Sequence, residues 1–203
     1  MRFDALSDMQ ADALRETGNI GAGHAATALS QLVGHMVSID VPTLEVLGVG
    51  EVPELFGGPE VLVVGVHIRL LGDMGGSMLF MIERSSALAL VDLMHARPIG
   101  SARAFGPDEE ALVSDVASTL ASAYLAAVGR LANISLLPAR ASSTLDMSGA
   151  IMQTVTSDAA MRADVALLLK TRFYDADTSV DAYLFFLLDP ASLGVLLGRL
   201  GVA

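Results

Sequence analysis

The chain states one structural plan twice, and that internal repeat restricts its possible folds more than any other feature. Residues 5–34 carry helical periodicity, Met36 to Val41 reads as a strand ended by Pro42, and Leu44 to Val49 as another. Val61 to Leu71 and Ser77 to Ile82 are β-rich runs joined by Gly72-Asp73-Met74-Gly75-Gly76, a hairpin signal, and Ser85 to His95 returns to a helical period. The order then recurs. Pro107 to Leu131 spells a long helix and Ile134 to Leu137 a short strand ended by Pro138. Val165 to Tyr174 and Val180 to Leu188 make a hairpin around Asp175-Ala176-Asp177, and Pro190 to Leu200 closes as a helix. Helix, strands, hairpin, helix in each half predicts an α/β protein with an internal pseudo-twofold repeat, its mostly antiparallel sheet flanked by helices. Arg97 to Gly106 is the seam between halves of about 1–100 and 101–203. It is short and has one proline, so a single compact domain over 1–203 is expected.

At 203 residues and 53% hydrophobic, the chain can bury a sizeable core. No run of about 18 uncharged apolar residues stands out as a membrane span. Val61 to Leu71 is cut by His67 and Arg69, and Leu184 to Leu197 by Asp189-Pro190. Met1-Arg2-Phe3-Asp4 leads into acids rather than an apolar leader, so a cytoplasmic protein without membrane insertion is expected. A net charge of −11, with Lys170 as the single lysine, argues against nucleic acid and anionic lipid as partners. Without cysteine there is no disulfide, thiol nucleophile or cysteine-ligated metal. His24, His35, His67 and His95 lack ligand spacing and read as surface or capping histidines, so no metal is expected.

Chemistry concentrates in the first helix. Asp12, Glu16 and Asn19 stand at i, i+4 and i+7 and share one helical face. Leu14, Ile20, Ala25, Ala28, Leu29 and Leu32 fall on another stripe, which is expected to pack down. Gly18, Gly21 and Gly23 each cost about 1 kcal/mol against alanine inside a helix, which calls for a compensating close approach by another backbone. Two plainer readings compete. Acids near a helix start are favoured by the macrodipole and form an ordinary solvated face. Gly21-Ala22-Gly23-His24-Ala25-Ala26, with Asp40 downstream, also meets a loose dinucleotide-binding pattern. That pattern needs a strand before its first glycine, whereas Ala11 to Ile20 has its charges at helical spacing.

Asp12-x3-Glu16-x2-Asn19, followed by Ile20-Gly21-Ala22-Gly23-His24-Ala25-Ala26-Thr27-Ala28-Leu29-Ser30, resembles the signature of the CheC family of chemotaxis phosphatases, relatives of CheX and FliY. The likeness continues through Val41-Pro42, Val64-Gly65-Val66 and Gly72-Asp73 to the last helix. The resemblance implies hydrolysis of the aspartyl phosphate of a CheY-type response regulator. The regulator would supply the Mg²⁺, and the phosphatase would need no cofactor of its own. Asn19 would orient the attacking water, Glu16 would contact the regulator's lysine, and Asp12 would support docking. Gly18 and Gly21 would flank the amide and let the helix enter a shallow pocket.

The second long helix departs from the pattern. Aligning Tyr124-Leu125-Ala126-Ala127 with Ala25-Ala26-Thr27-Ala28 sets Ala111, Asp115 and Ser118 opposite Asp12, Glu16 and Asn19, a degenerate second site with shorter side chains. Asp146-Met147-Ser148-Gly149-Ala150-Ile151 resembles the segment where the deamidase CheD docks in relatives, and reads equally as a helix start capped by Asp146 or Ser148. The alternative to a phosphatase is a non-catalytic adaptor that binds a phospho-regulator, CheD or the flagellar switch.

Overall fold

The computed structural model describes residues 7–157, 165–174, 178–188 and 190–201. The Asp175-Ala176-Asp177 turn therefore lies outside the described residues. The first helix, α1 (Asp8–Val33), opens with a capping box. The Ser7 hydroxyl accepts from the Gln10 amide at 3.3 Å, and the Gln10 side chain accepts from the Ser7 amide at 2.9 Å. Left-handed Gly34 ends it. Its counterpart α3 (Pro107–Ala132) has the same length of 26 residues, with Pro107 at its first turn and left-handed Asn133 at its end. The two helices therefore align end to end, Asp8 on Pro107, the register that pairs Glu16 with Asp115.

Seven strands form one sheet in which every pairing is antiparallel: β1 (Ser38–Gly48), β2 (Leu62–Gly72), β3 (Ser77–Glu83), β4 (Leu136–Pro138), β5 (Ser142–Met147), β6 (Val165–Tyr174) and β7 (Ser179–Leu187). The order is β1-β6-β7-β3-β2, with β4 and β5 side by side along the far edge of β2. The hairpins β2–β3 and β6–β7 meet through β3 and β7, and each half lends its edge strands to the other: β1 pairs with β6, and β4 and β5 with β2.

Helices α1, α3, α2 (Arg84–Met94) and α5 (Pro190–Arg199) bury one face of the sheet over Val64, Val66, Phe80, Phe173 and Leu184. On the other face, a short 3-10 segment (Val49–Phe56) and α4 (Ser148–Ser157) cover Val63, Leu79, Met81, Leu168 and Phe185. Burial on both sides explains why Met78-Leu79-Phe80-Met81-Ile82 is apolar throughout although its partners are antiparallel.

Three sequence expectations change. Val41 and Pro42 do not separate two strands, because β1 runs through them with its register against β6 shifting between Asp40 and Thr43, a bulge. An edge strand tolerates the missing proline N–H. Second, β5 and the 3-10 segment fill stretches left unassigned. Third, α4 is not capped as expected, since the Ser148 hydroxyl donates to the Gly58 carbonyl at 2.9 Å and Asp146 belongs to β5.

The seam between the halves is pinned by a buried carboxylate. Asp92 on α2 is 0% exposed and accepts from the backbone amides of Gly100, Ser101 and Ala102, each at 2.9 Å, with the Arg97 guanidinium at 3.4 Å. Removing it leaves three amides and a guanidinium without their acceptor. Asp92→Ala is therefore expected to lower unfolding free energy by about 2–4 kcal/mol in urea titrations. An unchanged midpoint would mean the seam is held by other contacts.

Candidate active site

Helix α1 lies beside α3 on the sheet, and that contact decides which of its faces looks outward. Leu14, Gly21, Ala22, Ala25 and Leu29 are buried, as are Thr17 and Gly18. Asp12, Glu16, Asn19 and Gly23 are exposed. Ala28 and Leu32 depart from the expected apolar stripe. They are exposed and line an open groove of about 1370 Å³ between α1 and α3.

The glycines divide between the two faces. A Cβ on Gly21 would stand 2.9 Å from Cε1 of Tyr124 and closer still to Cδ1. Gly21 thus serves the packing of α3 against α1, and what it accommodates is an aromatic ring rather than another backbone. Gly18 is buried as well, so neither it nor Gly21 flanks the amide at the surface as expected. Gly23, given no separate role on sequence grounds, is the glycine on the exposed face. A Cβ there would meet nothing within 4 Å. Helical phase alone would have found it, since 19 and 23 are one turn apart. Tyr124 is 1% exposed and edge-on to Phe186, with centroids 6.4 Å apart. Burial holds its phenol pKa well above the usual value. Asp40 adds to that shift and neighbouring Thr171 opposes it.

On the exposed face, Asp12 and Arg15 form an ion pair at 2.7 Å. Both are largely solvated, so the pair adds little stability, but it leaves Asp12 already engaged. Among the described residues, no hydrogen bond or ion pair engages the side chain of Glu16 or Asn19. An exposed carboxylate and carboxamide one turn apart, both free, can present an anionic acceptor and a donor–acceptor group to a partner surface.

The second helix presents Asp115 exposed and Ser118 half-buried, both lining the groove with His24 and Arg130. Its hydroxyls bond back onto their own helix: Thr119 donates to the Asp115 carbonyl and Ser122 to the Ser118 carbonyl, each at 2.8 Å. Three histidines make contacts of their own. His24 Nε2 meets the Arg130 guanidinium at 2.7 Å, His35 bonds the Met94 carbonyl, and His95 bonds Val91 within its own helix. Asp146 is exposed on β5, accepting from the Met147 amide at 2.8 Å, between the exposed side chains of Leu145 and Met147. Helix α3 is long and apolar enough to cross a membrane, yet 56% of its most apolar window is packed inside the fold.

A family model described as the CheC-like family matches residues 9–46, which include the whole acid–amide face. The chain is 30% identical to the CheY-P phosphatase CheC of Bacillus subtilis strain 168, over 99% of this chain and 98% of that protein. It is 36% identical to the flagellar motor switch phosphatase FliY of the same organism over 91 residues, 45% of this chain and 23% of FliY. Among solved structures, Thermotoga maritima FliY shares the fold with a TM-score of 0.79 at 15% identity, covering 97% of this chain and 98% of that one. The fold is that of Thermotoga maritima FliY, and the acid–amide helix falls inside the stretch that the family model matches. The chain belongs to the CheC-like family.

The Gly21 contact makes its own prediction. Gly21→Ala drives a methyl into the Tyr124 ring and is expected to cost about 1–3 kcal/mol, read as a lower urea midpoint. A stabilised Gly21→Ala protein would show that Tyr124 can move aside.

Proposed function

We propose that this protein hydrolyses the aspartyl phosphate of a CheY-type response regulator, with Glu16 and Asn19 as the working pair. The observation that carries the reading is their shared exposure on one helical face with both side chains uncommitted. The whole-length relative, a CheY-P phosphatase, supports the reaction class.

The chemistry asks little of the helper. The attacking water forms a bond to phosphorus as the bond from phosphorus to the aspartyl oxygen breaks, leaving inorganic phosphate and a carboxylate. The regulator brings Mg²⁺ beside its own acyl phosphate, and the helper supplies position. A carboxamide accepts from and donates to neighbours with one planar group, so Asn19 holds the water in line. Glu16, one turn earlier, pairs with the regulator's lysine and sets the register of docking. Asp12, already tied to Arg15, supports docking at the rim with its second carboxylate oxygen. Asp115 and Ser118, each with a shorter reach, form an idle second face. The reaction takes place in the cytoplasm with the regulator.

Radiolabel decay of a phosphorylated CheY-type protein tests this. Asn19→Ala should lower turnover about 10²-fold or more, and Glu16→Ala should raise KM and flatten its salt dependence. Asp115→Ala with Ser118→Ala should stay within about twofold of the parent. Parental rates in Asn19→Ala would remove the role given to the amide. Phospho-dependent binding by the parent without faster decay would mark an adaptor.

A second contact belongs to the same reading. Asp146, exposed on β5 next to α3, is proposed as a docking point for a CheD-type deamidase. Asp146→Lys should abolish that binding in calorimetry while leaving phosphatase activity intact, and equal affinity in parent and variant would refute the assignment.

A further inference from the structure

We infer that Gly23 marks the point where the response regulator comes closest to α1, so that a missing side chain is part of how the site selects its substrate. This rests on the phosphatase reading above. Three observations carry it. Gly23 is exposed at the middle of a long helix, one turn past Asn19 and two past Glu16, in line with the acid–amide face at its C-terminal end. Nothing in the fold accounts for it: a Cβ would find no atom within 4 Å, whereas Gly21 is explained by Tyr124 and Gly129 by the Ile134 carbonyl 2.8 Å from its Cβ position. Glycine inside a helix is unfavourable, so an uncompensated one at the site points to compensation in the complex.

The third observation is internal to the chain. With α1 and α3 aligned end to end, the position matching Gly23 is Ser122, whose side chain occupies that spot and bonds the Ser118 carbonyl at 2.8 Å. The face without a full acid–amide pair is also the one without the gap. Open space alone does not single out Gly23, because Gly194 on α5 has it too. What distinguishes Gly23 is its alignment with Glu16 and Asn19. A carboxamide is short, so Asn19 reaches a recessed acyl phosphate only if the helix surface beside it sits almost on the regulator's rim. A side chain at 23 would stand between the two surfaces.

The test uses the full chain and three variants, Gly23→Ala, Gly23→Leu and Ser122→Leu, with radiolabel decay measured across concentrations of a phosphorylated CheY-type regulator and thermal melts run in parallel. Gly23→Ala should melt about 2–4 °C higher, since alanine favours the helix and meets nothing. Its KM should nevertheless rise. Gly23→Leu should raise KM about tenfold or more while kcat changes less than about threefold, and Ser122→Leu should leave both at parental values. A parental KM in Gly23→Leu, with the parent active, overturns this inference and leaves the phosphatase reading standing. A Gly23→Leu protein that melts lower and loses kcat in proportion would make the glycine a folding requirement and also overturn it. If the parent does not accelerate decay at all, both readings fall together.

Discussion

The antiparallel pairing of β3 with β7, from Ser77 opposite Leu187 to Met81 opposite Tyr183, is the junction on which everything else rests. It joins the hairpin of one half to the hairpin of the other and supplies both cores. Phe80 turns toward the long helices and meets Phe173, while Leu79, Met81 and Phe185 turn toward α4 and the 3-10 segment. Apolar burial on both faces of these strands provides the main driving force for the fold. The exchanged edge strands then lock the halves, since β1 completes its ladder on β6 and β5 on β2.

The functional face follows from the packing above that sheet. Tyr124 occupies the space left by Gly21 and sets how closely α3 approaches α1. That approach fixes the rotation of α1, which turns Leu14, Ala25 and Leu29 down and Glu16, Asn19 and Gly23 outward. The site is thus mounted on a rigid element, as positioning chemistry requires, and the side chains of Glu16 and Asn19 have no hydrogen-bond or ion-pair partner among the described residues.

Helices and hairpins were legible from sequence because their signals are local. The period of α1 and the Gly72 to Gly76 turn each announce themselves within a few residues. The repeat gave the layout, and the spacing of Asp12, Glu16 and Asn19 gave the outward face. What failed depended on tertiary context. Pro42 reads as a strand stop, yet an edge position lets β1 continue through it as a bulge. Ser142 to Met147 carries too little apolar alternation to read as a strand, and it takes that form by pairing with β2. That Gly21 serves packing could not be read without knowing that Tyr124 stands opposite it. Ala28 and Leu32 fit the apolar stripe by period, but they sit where the two helices leave a groove.

The exchange of edge strands has a consequence for how such a protein changes over time. Neither half can complete its sheet alone, so a half-length ancestor would have needed a second copy of itself, and both copies would have presented the same helix face. Fusion into one chain lifts that symmetry requirement without disturbing the shared interior. Substitutions at Asp115, Ser118 and Ser122 alter only the outer surface of α3, while Tyr124 on the inner surface of the same helix still seats α1. One copy of the face can then drift or take up other work while its twin keeps the original task, because the duplicated core supports both helices irrespective of what either one displays.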